Sequence, residues 1–391
     1  MPHVVVTEDT LAVELADGHT ISAPIAWYPR LLHGSPEERN NWRLIGKGEG
    51  IHWPDLDEDI SVENMLLGKP SSESARSFSL KVGIAQIAPV WLNREQTLAK
   101  IVRYVNLATD EGCQLITFGE ALLPGYPFWI ERTDGARFNS PVQKDIHAHY
   151  MHQAIQIEAG HLEPLCQTAS QQQIAIFIGC IERAPDRGGH SLYCSLVYID
   201  PQGVIQSVHR KLVPTYEERL TWAPGDGHGL RVHQLGAFTV GGLNCWENWM
   251  PLARAALYAQ GEDLHVAVWP GGIHNTSDIT RFIAKEARSY VLSASGLMRK
   301  TDFSAGTPHL DLILANSSDF FANGGSCIAG PDGEWVVEPV VGEERLIVAT
   351  IDHKRVRAER QNFDPAGHYA RPDVTQLTVN RKRQSTLTIV E

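Results

Sequence analysis

Three short stretches hold the residues best suited to chemistry: "LITFGEALLPGYP" with Glu120, "SVHRKLVPTYEERLTW" with Lys211, and "GGLNCWENWMPL" with Cys245. Each is a polar residue closing an otherwise apolar, strand-like run, and strand ends in layered α/β proteins are favoured places for sites. Sulfur attacks as thiolate, and a free cysteine titrates near ~8.5, so Cys245 needs a lowered pKa or a base beside it. A carboxylate can be that base, and an ammonium can offset negative charge developing on the group under attack. Together the three make a set for covalent catalysis at an electrophilic carbon. Taken singly, each has a plainer explanation, since a free cysteine is usually a buried core residue.

The elements that must position these residues alternate between strand and helix. "LKVGIAQIAPV" reads as an apolar strand, the stretch from Asn93 to about Glu111 as a helix, and "CQLITFGE" as a strand ending on Glu120. "QIAIFIGCIER" and "YCSLVYIDPQGVIQSVHRKLV" follow, the latter turning at Pro201-Gln202-Gly203 and leading to Lys211. "AFTVGGLNC" runs into Cys245, with a helix "MPLARAALYAQG" and a strand "DLHVAVWPG" behind it. "ITRFIAKEARSYVLSA" reads as one long helical run ahead of the final strands "SCIAGPDGEWVVEPVV" and "RLIVATID". This alternation predicts a layered α/β body.

The first part of the chain is different. Residues 1–69 carry 12 acidic and 5 basic side chains. "TLAVELADGHTISAPI" alternates around Asp17-Gly18 as a hairpin does, and "AWYPRLLHG" and "SVENMLLG" read as short helices, the second stopping at Gly68. The pattern predicts a small acidic α+β domain over 1–69 and a Ser-rich linker, "PSSESARSF", over 70–78. The α/β body then occupies 79–352, and a polar C-terminal extension with "HKRVRAER" and "NRKRQ" occupies 353–391.

Composition narrows the function. Among 391 residues, 43% are hydrophobic and 20% charged, as in soluble globular proteins, and the net charge of −12 argues against nucleic acid or an anionic membrane as partner. No apolar run reaches the ~18 residues of a membrane helix, and "MPHVVVTEDT" lacks the features of a signal peptide, so a cytoplasmic location is expected. Six cysteines with no CxxC pair suit reduced thiols better than disulfides or a zinc site. His147, His149 and His152 in "HAHYMH" have no second ligand cluster, which favours a solvated helix over a metal centre. "GDGHG" lacks the strand, helix and lysine of a phosphate-binding loop and reads as an ordinary loop.

In order and in flanking residues, "GEALLPGYP", "HRKLVPT" and "NCWENWMPL" resemble the signature blocks of the nitrilase, or carbon–nitrogen hydrolase, superfamily. The similarity continues through "VAVWPG", "NGGSCIAGPDGEWVVEP" and "GHYARPDV" and spans roughly residues 80 to 380, while residues 1–69 resemble a small bacterial domain family of unknown function. The resemblance implies an α-β-β-α sandwich preceded by a small α+β domain. It implies Cys245 as nucleophile, Glu120 as general base, Lys211 as stabiliser of developing charge, and Glu218 of "TYEERLTW" as an orienting carboxylate. The reaction implied is nitrile hydrolysis through a thioimidate and a thioester, releasing ammonia and a carboxylic acid without metal or organic cofactor. Homodimers, extending in some members to spirals or filaments, are implied as well.

Within the superfamily, "CWEN" is nearer to nitrilases than to aliphatic amidases, so Trp246 and Glu247 favour nitriles over amides. An amidase of the same chemistry, or a binding protein on the same fold, is the alternative. Tyr126, Trp129, Trp246 and Trp269 are candidates for the substrate pocket, with Phe128 and Trp249 beside them. A helix starting near Asn248 would favour a Cys245 thiolate through its dipole.

Overall fold

The computed structural model describes residues 4–15, 17–69 and 78–387. Its contacts divide the chain into two compact units, Met1–Phe78 and Ser79–Glu391.

The first unit holds two small antiparallel sheets, β1 (Val4–Val6), β2 (Thr10–Glu14) and β3 (Thr20–Pro24), then β4 (Arg43–Ile45), β5 (Gly50–Trp53) and β6 (Glu58–Ser61). Helices α1 (Pro29–His33), α2 (Pro36–Asn40) and α3 (Val62–Leu66) complete it. The hairpin expected around Gly18 joins β2 to β3, and the alternation there sends Leu11 and Val13 into a core with Leu31, Ile51, Trp53 and Met65. Helix α2 starts on a capping box, in which Ser35 and Glu38 each satisfy the other's backbone N–H. Of the predicted linker, 70–77 lie outside the described residues.

The second unit is built from strands β7 (Ser79–Gln86), β8 (Leu115–Phe118), β9 (Ala175–Arg183), β10 (Leu192–Ile199), β11 (Ile205–Arg210), β12 (His233–Leu235), β13 (Phe238–Asn244), β14 (Leu264–Trp269), β15 (Tyr290–Ser295), β16 (Leu297–Arg299), β17 (Phe320–Ala329), β18 (Trp335–Val341) and β19 (Arg345–Asp352). One sheet has the order β11-β10-β9-β8-β7-β19; the other runs β12-β13-β14-β15-β17-β16, with β18 on β17. The centre of each sheet is parallel: β7 with β8 and β8 with β9 in one, β13 with β14 and β14 with β15 in the other. Its helices are α4 (Arg94–Asp110), α5 (Trp129–Arg132), α6 (Pro141–Gln153), α7 (Glu163–Gln172), α8 (Pro251–Tyr258), α9 (Ile273–Ala287), α10 (Leu310–Leu314) and α11 (His353–Arg360).

The period of two along each strand divides its residues between layers. Val82 and Ile84 of β7 meet Val240, Val266 and Val268 of the other sheet in a central core. Ile116 and Phe118 of β8 pack instead with Ile101 and Val105 of α4 and Leu165 of α7. Ala267 and Trp269 of β14 face outward onto Ile279, Ile283 and Ala287 of α9. The architecture is an α-β-β-α sandwich, and because both faces of each sheet are covered the central strands β8, β14 and β15 are buried along their whole length.

One expectation needs correction. The long helical run ends at Ala287, Arg288 turns left-handed at φ +51°, and Tyr290–Ser295 is the strand β15. All six of its residues are buried, so it shows no alternation that would separate it from a helix. The polar C-terminal extension makes hydrogen bonds to the "GDGHG" loop. The carboxylate of Asp226, in the "GDGHG" loop, accepts from Arg383 at 2.9 Å and from the Gln384 N–H at 3.0 Å. A Cβ on Gly227 would lie 2.3 Å from the Asn380 carbonyl, so the glycine there admits the tail's backbone. Among the described residues no helix is long and apolar enough to cross a membrane.

Candidate active site

Glu120 stands just beyond the end of β8, where the two sheets meet. Its N–H donates to the carbonyl of Trp269, at the end of β14, at 3.2 Å. The neighbouring strand β9 comes so close that a Cβ on Gly179 would lie 2.3 Å from the Gly119 carbonyl and 2.7 Å from the Glu120 Cα. Only glycine fits there without displacing Glu120.

Lys211 follows β11, and its N–H donates to the Cys194 carbonyl at 2.7 Å. Its ammonium lies 2.8 Å from Glu120 Oε1 and 2.7 Å from Glu218 Oε2, with all three side chains buried. Glu218 is itself oriented: Oε2 accepts the Thr215 N–H at 2.6 Å and Oε1 accepts the Tyr126 hydroxyl at 3.0 Å. The indole of Trp222 lies 5.6 Å from the ammonium, close enough for its face to favour the cation.

Burying three charges is costly unless each is compensated. Burial works against the Lys211 ammonium, but Glu120, Cys245 and Glu218 outweigh it and hold its pKa above the ordinary lysine range. Glu120 is where the imbalance falls. Burial, reinforced by Glu218 and opposed by Lys211, pushes its carboxyl up to about 7. Oε1 is engaged by Lys211 and by the Cys194 thiol at 3.6 Å, whereas Oε2 is buried with no hydrogen-bond partner among the described residues. A carboxylate poised near neutrality with one oxygen open can take and return a proton.

Cys245 begins the turn after β13 in left-handed backbone, at φ +49°. For a residue other than glycine this costs on the order of 1–3 kcal/mol, a strain found mainly where the surroundings demand a particular direction. Its thiol is pushed well above the ordinary cysteine value, by burial first and then by Glu120, with Lys211 opposing. The resting sulfur is therefore a thiol, which corrects the expectation of a dipole-stabilised thiolate. The turn Cys245–Trp249 is a single 3-10 segment, and α8 begins only at Pro251. With no long helix aimed at the sulfur, burial first and then the Glu120 carboxylate set its protonation.

Glu247 has a place that the sequence does not disclose. It is buried, and it accepts from the Asn244 N–H at 2.8 Å, the Leu212 N–H at 2.5 Å and His209 Nε2 at 3.0 Å. One carboxylate thus ties the residue before Cys245 to the residue after Lys211. Burial raises its pKa, but His209 and the two backbone N–H groups outweigh burial and hold it below the ordinary carboxylate value. Cys194, Trp222 and His209 were also not singled out as site residues from sequence, and Asn248 was read there only as the start of a helix.

Of the pocket candidates, Tyr126 joins the charged group through Glu218, and its hydroxyl also lies 3.2 Å from Glu217. Trp129 is buried edge-on to Tyr150, and Trp269 is buried with its indole N–H toward Ser293 at 3.4 Å. Both belong to core clusters. Trp246, beside Cys245, is 57% exposed. Two of the three histidines of α6 have protein partners, His147 at 3.2 Å from Thr221 Oγ1 and His149 at 3.2 Å from the Leu92 carbonyl, whereas His152 is exposed. Among the described residues no cluster of three or more His, Cys, Asp or Glu could hold a metal ion.

The chain is similar to known proteins over most of its length. The carbon-nitrogen hydrolase family matches residues 81–361, and the family "Protein of unknown function (DUF2442)" matches residues 2–71. A Nitrilase 2 from an unknown prokaryotic organism is 37% identical over 304 residues, covering 78% of this chain and 93% of that protein. The arylacetonitrilase of Macrophomina phaseolina is 31% identical over 332 residues, 78% of this chain and 92% of its own. Among solved structures, a carbon-nitrogen hydrolase from Helicobacter pylori G27 superposes with a TM-score of 0.56 at 18% identity, over 75% of this chain and 96% of its own, a likeness of fold. The chain belongs to the carbon–nitrogen hydrolase family, in its nitrilase branch.

Proposed function

We propose that this protein hydrolyses an organic nitrile to the carboxylic acid and ammonia, with Cys245 as nucleophile, Glu120 as general base and Lys211 as the cation facing developing charge. The observation that carries the reading is the buried ammonium of Lys211 held by Glu120 and Glu218, beside a thiol and an open Glu120 oxygen. As sulfur bonds to the nitrile carbon, the thiol proton passes to Glu120, and the charge arriving on nitrogen is met by Lys211. Return of the proton to nitrogen gives the thioimidate. Water, deprotonated by Glu120, adds to its carbon; the tetrahedral adduct expels ammonia and leaves a thioester. A second water releases the acid and restores the thiol. General acid–base catalysis contributes ~10²–10⁴-fold and one aimed donor of charge ~10²–10³-fold. No step uses a metal or an organic cofactor.

Glu218 is a positioning residue for Lys211 in this scheme, and Tyr126 and Trp246 are the pocket candidates nearest the reacting groups. The division of contacts near residue 78 supports reading 1–69 as a separate domain; within the unit that follows, the reading sets a hydrolase domain at 79–352 and an extension at 353–391. Exposed Leu252 on α8 and Phe282 on α9 support pairing with a second copy, and six unpaired cysteines suit a cytoplasmic location. The test is ammonia release from aliphatic, aromatic and arylacetic nitriles and their amides. Turnover of nitriles that disappears in Cys245→Ala supports the reading; turnover confined to amides, or surviving in Cys245→Ala, overturns it.

A further inference from the structure

The turn that carries Cys245 is held from behind by side chains that no catalytic step uses. Asn248 donates its amide nitrogen to the carbonyls of Cys245 at 2.8 Å and Leu243 at 3.3 Å. With the nitrogen committed to two acceptors, Oδ1 must accept, and it meets Nε2 of His265 at 2.8 Å. That ring nitrogen therefore carries a hydrogen. The other, Nδ1, lies 3.0 Å from Glu262 Oε1. Asn248, His265 and Glu262 are all 0% exposed. One proton occupies the contact between His265 and Glu262, and the pair is neutral overall whichever partner holds it. The backbone of the turn is fastened separately, since Arg254 donates to the Asn248 carbonyl at 2.8 Å and is itself paired with Glu286 at 2.7 Å.

His265 is the one polar residue among the six of β14, "LHVAVW". A polar pair placed in such a strand costs more than an apolar pair of the same size, so its presence calls for a reason beyond packing. Cys245 supplies one: its backbone is left-handed, and its carbonyl accepts a hydrogen bond from Asn248 at 2.8 Å. We infer that Asn248 and His265 are positioning residues for the nucleophile, the chain Glu262–His265–Asn248 locking the Cys245 carbonyl and through it the direction of the sulfur. This rests on Cys245 being the nucleophile, as proposed above.

The test compares His265→Leu with His265→Gln, whose amide can replace Nε2–H toward Asn248. Two readouts are used: steady-state nitrile hydrolysis, and the rate at which iodoacetamide alkylates Cys245, followed by intact mass. A nucleophile misplaced by about 1 Å costs ~100-fold. His265→Leu is expected to lose kcat by roughly that factor with KM within about threefold, and to slow alkylation about tenfold. His265→Gln should recover both to within about fivefold. A folded His265→Leu with wild-type kcat and alkylation overturns the inference, as does equal kinetic loss in the two variants with alkylation unchanged. Should His265→Leu fail to fold, Asn248→Asp sets an oxygen against the Cys245 carbonyl while still accepting from His265, and unchanged kcat there overturns it. If the wild type hydrolyses no nitrile or amide yet the variants slow Cys245 alkylation, the proposed reaction fails and the positioning chain stands.

Discussion

Replacing Glu247 by glutamine tests whether one carboxylate holds the nucleophile and the cation together. Oε2 accepts from Asn244 at 2.8 Å and Oε1 from Leu212 at 2.5 Å, with His209 against both. Glutamine keeps one oxygen, so one of the two backbone N–H groups must face an NH₂. An unsatisfied buried donor costs ~1–3 kcal/mol, and loss of the charge on the remaining bonds brings the total to about 2–4 kcal/mol. The kinetic effect should be larger than this implies for stability, because the residue freed adjoins either Cys245 or Lys211. Misalignment of one charge-stabilising contact is worth ~10²–10³ in kcat. Glu247→Gln is therefore expected to remain folded, melt several degrees lower, and lose kcat at least ~100-fold in an ammonia-release assay. Trp246→Ala, changing the exposed neighbour, should leave the melting temperature unchanged. A folded Glu247→Gln protein with kcat within threefold of wild type would refute the reasoning. Acid sensitivity has a defined sign as well. The folded carboxyl of Glu247 lies below its unfolded value, so its stabilisation is present above the ordinary carboxylate range and is lost as pH falls. The wild type should lose more stability on acidification than Glu247→Gln does.

Three further outcomes follow from the charged group. With Glu120 pushed up to about 7 and acting as carboxylate, kcat/KM should rise through that pH and fall ~tenfold per unit below it; a rise centred near pH 4 to 5 would exclude Glu120 as the base. Lys211→Met leaves Glu120 and Glu218 buried without their cation, so turnover should vanish and denaturant unfolding should show a loss of ~3–5 kcal/mol, whereas a neutral effect on stability would mean the carboxylates are already protonated. Gly179→Ala inserts a methyl 2.3 Å from the Gly119 carbonyl; overpacking should cost ~1–3 kcal/mol and displace Glu120, so wild-type kcat in that variant would show that the strand yields elsewhere.

Much of the sandwich was legible in the sequence because its strands are local features. A strand covered on both faces is apolar for most of its length, and Glu120 and Cys245 stood out as polar residues that follow such runs, whereas Lys211 follows a strand, "IQSVHR", that is itself largely polar. Where local pattern gave no contrast the reading failed, as at Ala287–Tyr290, where a buried strand continued a helix without a change of composition. Glu218 was reached through the family likeness, since its neighbour Glu217 has the same chemistry and only the fold turns one of them onto Lys211. Residue types, their order and the chemistry open to them were thus decided by the sequence alone. The tertiary structure decided which groups share a charge, which is why Glu247 became a brace 35 residues from Leu212, and why the Cys245 sulfur rests as a thiol. Desolvation and Coulomb interaction act through space, and neither can be summed until the chain has brought its distant carboxylates to one end of two sheets.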